Sequence, residues 1–113
     1  MINAEILHRL SETLTERRKA DPESSYTAQL FAKGPDAILK KIGEECAELI
    51  MAGTKGNKLH VVWESTDVIF HVMVLLAHYG LSIDDVLQEI RRREGVSGID
   101  EKKARAVNPT GAK

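Results

Sequence analysis

The chain has 113 residues, 42% apolar and 29% charged, enough for one domain with a modest core and too apolar for a disordered chain. Its 16 basic and 17 acidic residues leave a formal charge of -1, which excludes the electrostatic footprint of a general nucleic-acid binder. One cysteine, Cys46, excludes an internal disulfide and a multi-cysteine zinc site, and with aromatics at 4% the core has to be built from Leu, Ile, Val and Ala.

In chain order, Asn3 to Ala20 carries Ile6, Leu7, Leu10 and Leu14 at helical spacing, with charges between them. Glu5, His8, Arg9 and Glu12 interrupt any apolar run there, so no signal peptide or membrane anchor is expected and a reducing cytoplasm is the default. Asp21-Pro22 stops this helix, because proline lacks the amide donor and restricts the residue before it. Ser24-Ser25 then caps a short helix through Tyr26, Leu30 and Phe31, closed by Gly34. Pro35 and Asp36 suit the first turn of a helix predicted to run to Ala52, with Gly53 after it. Its apolar face is Ile38, Leu39, Ile42, Cys46, Leu49 and Ile50, which turns Cys46 to the core as an inert thiol. Thr54 to Lys58 reads as a polar loop.

The longest helix is predicted from about Leu59 to Tyr79, ending at Gly80. Between Val68 and Ala77 only His71 is polar, and a helix apolar nearly all round has to be buried on most sides. So short a chain has few helices to surround it, which implies a homo-oligomer with this helix near the interface. Ser82 and Asp85 form a capping pair for a helix from Ile83 to about Glu94, closed by Gly95. Ile99 to Ala106 holds one or two further turns. The fold expected is all-α, a small antiparallel helical bundle completed by oligomerisation: one domain over residues 1–107 and a frayed tail over 108–113.

The chemistry lies in Glu44, Glu45 and Glu48 on one helix and Glu64 and Asp67 on the next. At roughly 100° per residue Glu44 and Glu48 stack, Glu45 sits beside them, and Glu64 and Asp67 share a face that His60 and His71 extend. A short connection makes the two helices antiparallel neighbours, so the acidic faces meet. Like charges brought together raise each other's pKa values, and a divalent cation relieves the conflict; hard oxygen ligands suit Mg²⁺ or Mn²⁺ rather than zinc. Magnesium also engages phosphates, which points to phosphoanhydride chemistry. The plainer reading is a solvated glutamate face.

Glu45-x-x-Glu48, fifteen residues and then Glu64-x-x-Asp67 resembles the signature of the MazG-like all-α nucleotide pyrophosphatases. Within that superfamily Ser25-Tyr26-Thr27, Leu30, Lys33-Gly34, Lys40-Lys41-Ile42-Gly43-Glu44-Glu45 and Glu48 are similar to the phosphoribosyl-ATP pyrophosphohydrolase family. So are Asp67-Val68-Ile69-Phe70-His71, the Leu75-Leu76 run ending at Gly80, and Ser97-Gly98-Ile99-Asp100-Glu101-Lys102. Ser65, Thr66 and Trp63 depart from the small apolar residues expected around the second acidic pair.

That resemblance implies hydrolysis of phosphoribosyl-ATP to phosphoribosyl-AMP and pyrophosphate, an early step of histidine biosynthesis, in a cytoplasmic homodimer or larger assembly. Many such domains are fused to a cyclohydrolase with cysteine zinc ligands, which this chain lacks, so one step is expected. The resemblance implies Glu45, Glu48, Glu64 and Asp67 as ligands of one or more Mg²⁺ ions, with Mn²⁺ a possible substitute. Glu44 is an extra ligand, a water-positioning base or an outward charge. Lys33, Lys40, Lys41 and Arg92 are candidate substrate contacts. Lys40 and Lys41 also suit plain i+4 ion pairs with Glu44 or Glu45, and Arg91-Arg92-Arg93 and Lys102-Lys103 suit helix-end charges. His71 is a satisfied core residue or a ligand. Trp63 and Tyr26 pack in the core or stack on adenine. The competing functions are a house-cleaning or dCTP/dUTP-type pyrophosphatase and a non-catalytic helical dimerisation or metal-binding module.

Overall fold

The computed structural model describes residues 2–107, so the tail expected over 108–113 lies outside the described residues. Every element among the described residues is helical. The framework divides into two compact units, residues 1–83 and 84–113.

In the first unit α1 spans Glu5–Arg17 and buries Leu14 and Ser11. Ser11 Oγ accepts from the amide of Ile83 at 3.3 Å, tying α1 to the end of the unit. Asp21-Pro22 does more than stop α1. The Asp21 carboxylate accepts from Glu23 N at 2.9 Å, and Pro22, needing no donor at a first position, opens a 3₁₀ turn over Pro22–Ser24. Helix α2, Tyr26–Lys33, starts as expected: Ser25 is extended and its Oγ accepts from Ala28 N at 3.1 Å. Gly34, at φ 92°, closes α2 and leads straight into Pro35.

Helix α3 spans Pro35–Lys55 and α4 spans Lys58–His78. Gly53 does not end α3. An interior glycine costs only about 1 kcal/mol against alanine, whereas the left-handed cap that closes α3 is supplied by Gly56 at φ 69°. The expected five-residue loop shrinks to Gly56-Asn57, and Asn57 caps α4 by accepting from His60 N at 3.1 Å. Each helix is 21 residues long, so α4 is not the longer of the two. The two-residue link forces them antiparallel, and they pack along one another while α2 lies against both. Leu14, Ile38, Met73 and Val74 form the fully buried centre.

Helix α4 is not buried on most sides within one chain. Leu59, Val62, Trp63 and Ile69 remain exposed, as do Leu39, Ile50 and Met51 on α3. By length and composition α4 would also suffice to cross a membrane.

In the second unit α5 spans Ile83–Arg93 and α6 spans Gly98–Val107, a longer helix than the turn or two expected. Ser97 Oγ starts α6 by accepting from Asp100 N at 3.1 Å.

Candidate metal centre and phosphate site

The meeting of acidic faces is realised by three of the expected carboxylates. Oxygen atoms of Glu45, Glu48 and Glu64 lie within 4.8 Å of one another. Antiparallel packing of α3 on α4 produces this: Glu45 and Glu48 project from one turn of α3, and Glu64 faces them from α4. Glu45 is 8% exposed. Its Oε2 and the Oε2 of Glu64 are buried without a hydrogen-bond partner among the described residues. A buried carboxylate oxygen left unpaired costs roughly 1–3 kcal/mol or more. Two of them, in a group of three like charges, fit a cation held by hard oxygen donors. Asp67, one turn after Glu64, is exposed and stands outside this group of three. Glu44 is exposed and also outside it.

Lys41 lies against the cluster, its Nζ 3.4 Å from Glu45 Oε1 and 3.5 Å from Glu44 Oε2. Partial desolvation pulls its pKa down, but the Tyr26 oxygen and the Glu45 and Glu44 carboxylates outweigh that and hold it above its ordinary value. The i+4 pairing weighed for this lysine is therefore present, with an i+3 pair to Glu44 beside it. Lys40 and Lys33 are exposed.

An open cleft of about 170 Å³ adjoins the carboxylates, lined by Glu48, Met51, Ala52, Lys55, His60 and Glu64. Lys55 is a site residue that the sequence reasoning missed. It lies seven residues after Glu48, two turns along the same face, and the signal was hidden by ending the helix at Gly53. Lys55 forms no ion pair among the described residues. At the cleft's edge Trp63 stacks on His60, ring centroids 5.1 Å apart and planes at 27°. Trp63 is 53% exposed and Tyr26 49%, so of the two roles expected for them packing in the core is not realised within one chain.

His71 is turned inward and 5% exposed. Its Nδ1 lies 2.7 Å from the Asp67 carbonyl oxygen, and its Nε2 lies 3.0 Å from the Tyr26 hydroxyl. Both ring nitrogens are occupied, which is the satisfied core histidine rather than a metal ligand.

Arg92 is engaged within its own unit. Its Nη2 reaches Glu89 Oε1 at 2.7 Å and the buried Glu101 Oε1 at 2.5 Å. Arg93 and Arg105 approach the same Glu101 oxygen at 3.8 and 3.5 Å. These bonds push the Arg92 pKa up, first through Glu89 and then through Glu101.

An all-helical unit whose central antiparallel pair presents this carboxylate cluster defines an all-α protein of the MazG-like type. The chain belongs to the phosphoribosyl-ATP pyrophosphohydrolase family, whose description matches residues 7–94. It is 73% identical over 107 residues to the phosphoribosyl-ATP pyrophosphatase of Dechloromonas aromatica (strain RCB), an alignment covering 95% of this chain and 99% of that one. It is 65% identical over 108 residues to the protein of that name from Aromatoleum aromaticum, covering 96% and 100%. The corresponding Azoarcus sp. (strain BH72) protein is 66% identical over 105 residues, covering 93% and 98%.

Proposed function

We propose that this chain hydrolyses phosphoribosyl-ATP to phosphoribosyl-AMP and pyrophosphate, the histidine-biosynthetic reaction named for its relatives, and does so with Mg²⁺ in the cytoplasm. The observation that carries the reading is the Glu45, Glu48 and Glu64 cluster with its two orphaned buried oxygens. These three residues would hold the ion, with Asp67 joining from the next turn of α4. The chemistry supplied by bound Mg²⁺, or by Mn²⁺ in its place, is charge neutralisation of the polyphosphate and a lowered pKa for water.

Around that centre the chain's own residues bind and orient. Lys41, whose charge is reinforced by its surroundings, contacts phosphate at one end of the cluster. Lys55 does so from the cleft. Lys40 and Lys33 are exposed cations available to the rest of the substrate. Glu44, exposed and paired with Lys41, suits a counter-charge better than a metal ligand. Arg92, fastened to Glu89 and Glu101, is better suited to holding α5 and α6 than to a substrate phosphate.

The functional form is a homodimer or larger homo-oligomer. A cleft of about 170 Å³ falls below the ~300–1,000 Å³ of ordinary small-molecule sites. The exposed apolar residues of α3 and α4 supply the surface for a second copy. A bilayer is a poorer partner for α4, because Asp67 sits at its middle, where a charge costs at least ~2.5–3.5 kcal/mol.

The test is pyrophosphate release from phosphoribosyl-ATP with Mg²⁺, comparing wild type with Glu48→Gln and Asp67→Asn, alongside sedimentation of the wild type. Glu48→Gln should abolish turnover while the fold survives. Turnover that persists in Glu48→Gln would sink the metal assignment. Faster release from ordinary nucleoside triphosphates would replace the substrate, and a compact monomer would remove the assembly.

A further inference from the structure

Trp63 stands apart from the other exposed apolar residues of α4. Leu59, Val62 and Ile69 present aliphatic chains, whereas the Trp63 indole is already stacked on one face, against His60 with centroids 5.1 Å apart and planes at 27°. Offset stacking at that distance is a favoured arrangement of flat rings. His60 in turn lines the cleft together with Glu48 and Glu64.

Helical spacing fixes where this stack sits. His60, Trp63, Glu64 and Asp67 share one side of α4. Glu64 turns from that side into the carboxylate cluster, and Trp63, one position before it, is 53% exposed. His60 lies one turn from Glu64, about 6 Å along the helix axis. Among the described residues His60 is the indole's only ring partner, so the opposite face of Trp63 has no ring against it.

The occupant follows from the size of the cleft. A space of about 170 Å³ beside three carboxylates takes metal and phosphate, and leaves no room for the rest of a nucleotide. The base has to lie outside, one sugar away from the phosphates, and the His60 and Trp63 stack is the flat surface at that rim. Every nucleobase has a π-face, and aromatic side chains take it whatever groups its edge carries.

We infer that His60 and Trp63 form a platform on which the adenine of the substrate stacks, with Trp63 the residue that touches the base. This rests on reading the carboxylate cluster as the polyphosphate site. The competing account gives the indole to a second copy of the chain, along with the other exposed apolar residues of α3 and α4.

Trp63 is the only tryptophan of the chain, so tryptophan emission reports on it alone. Emission of the wild type is followed with Mg²⁺ on titration with AMP, phosphoribosyl-AMP, ribose 5-phosphate and inorganic pyrophosphate. The two nucleotides are expected to quench it, and the two ligands without a base are not. Trp63→Leu should raise KM for phosphoribosyl-ATP and Ki for phosphoribosyl-AMP on the order of tenfold and leave the pyrophosphate Ki unchanged, with Trp63→Phe in between. Quenching by pyrophosphate as deep as that by the nucleotides overturns the platform, as does nucleotide binding without quenching or no nucleotide binding at all. Equal weakening of both Ki values in Trp63→Leu, the mark of an assembly coming apart, overturns it too and gives the indole to the second copy. Quenching by AMP in a protein that does not turn over phosphoribosyl-ATP would refute the substrate and still support the platform.

Discussion

Tyr26 and His71, 45 positions apart, are joined by a 3.0 Å hydrogen bond that fastens the first turn of α2 to the buried middle of α4. The histidine is itself locked by its Nδ1 bond to the Asp67 carbonyl. A buried ring with both nitrogens satisfied contributes packing as well as polar bonds. His71→Leu keeps most of the volume and should lower stability by about 1–2 kcal/mol, whereas His71→Ala adds a cavity and should lower it by about 2–4 kcal/mol. Urea midpoints with an unchanged m-value would bear this out; equal losses would mean that the polar bonds carry the whole effect.

The carboxylate cluster is built against the stability of the metal-free protein. Glu64 Oε2 is buried and unpartnered, and its carboxylate faces Glu45 and Glu48. Glu64→Gln removes one like charge and should raise metal-free stability by about 1 kcal/mol, a trade of stability against function. Mg²⁺ bound at the proposed site should raise the Tm of the wild type, and the same variant should lose that shift. A drop in metal-free Tm would show that the cluster carries no strain.

The end of α3 offers a matched pair of glycine substitutions. Gly53 lies inside the helix with no side-chain or distant backbone atom within 4 Å of an added Cβ, so Gly53→Ala should stabilise by about 0.5–1 kcal/mol. Gly56, at φ 69°, is in the left-handed region, and Gly56→Ala should destabilise by about 1–2 kcal/mol. Thermal unfolding of the two variants checks both signs, and the reverse order would put the helix end back at Gly53.

That boundary marks the division between what was legible in the sequence and what was not. Ser25, Gly34, Pro35 and Gly80 signal their helix ends through local chemistry, and the structure follows them. The choice between Gly53 and Gly56 depends on which glycine takes the left-handed cap, and the residue pattern around them suits either. The error had a functional consequence, since it removed Lys55 from the helix that carries Glu48. The carboxylate cluster was legible because i, i+3 spacing on two helices joined by a short link leaves little freedom. The partners of Tyr26 and Trp63 were not, because they are set by how α2 and α4 cross and by surface that one chain leaves uncovered.

In the second unit Glu89 is the group to follow with pH. Hydrogen bonds from Arg92 first, then from Arg93, hold its pKa at about 2, below an ordinary 4.5. Its folded pKa is depressed, so the stabilisation is complete above about 4.5 and is lost as pH falls through about 2. The side-chain carboxyl ¹³C shift of Glu89 should therefore titrate near 2, and Arg92→Gln should move the midpoint back towards 4.5. An unshifted midpoint in wild type would mean that the arginines are not holding Glu89 in solution.

Lys55 is the cation of the cleft that has no carboxylate of its own. It lines the same 170 Å³ space as Glu48 and Glu64, yet forms no ion pair among the described residues. As a basic residue in the last turn of α3 it also favours the helix dipole, worth about 0.3–1 kcal/mol. The two roles separate cleanly. Lys55→Met should cost no more stability than that, while weakening substrate binding by about 1.5–3 kcal/mol if the ammonium meets phosphate. Arg at the same position preserves the charge and should recover most of the affinity. Product inhibition tells which phosphate is met: a weakened Ki for pyrophosphate places Lys55 on the polyphosphate, and a weakened Ki for phosphoribosyl-AMP places it on the phosphate of the added ribose. Unchanged inhibition by both products, with the small loss of Tm intact, would leave Lys55 as a helix-end charge alone.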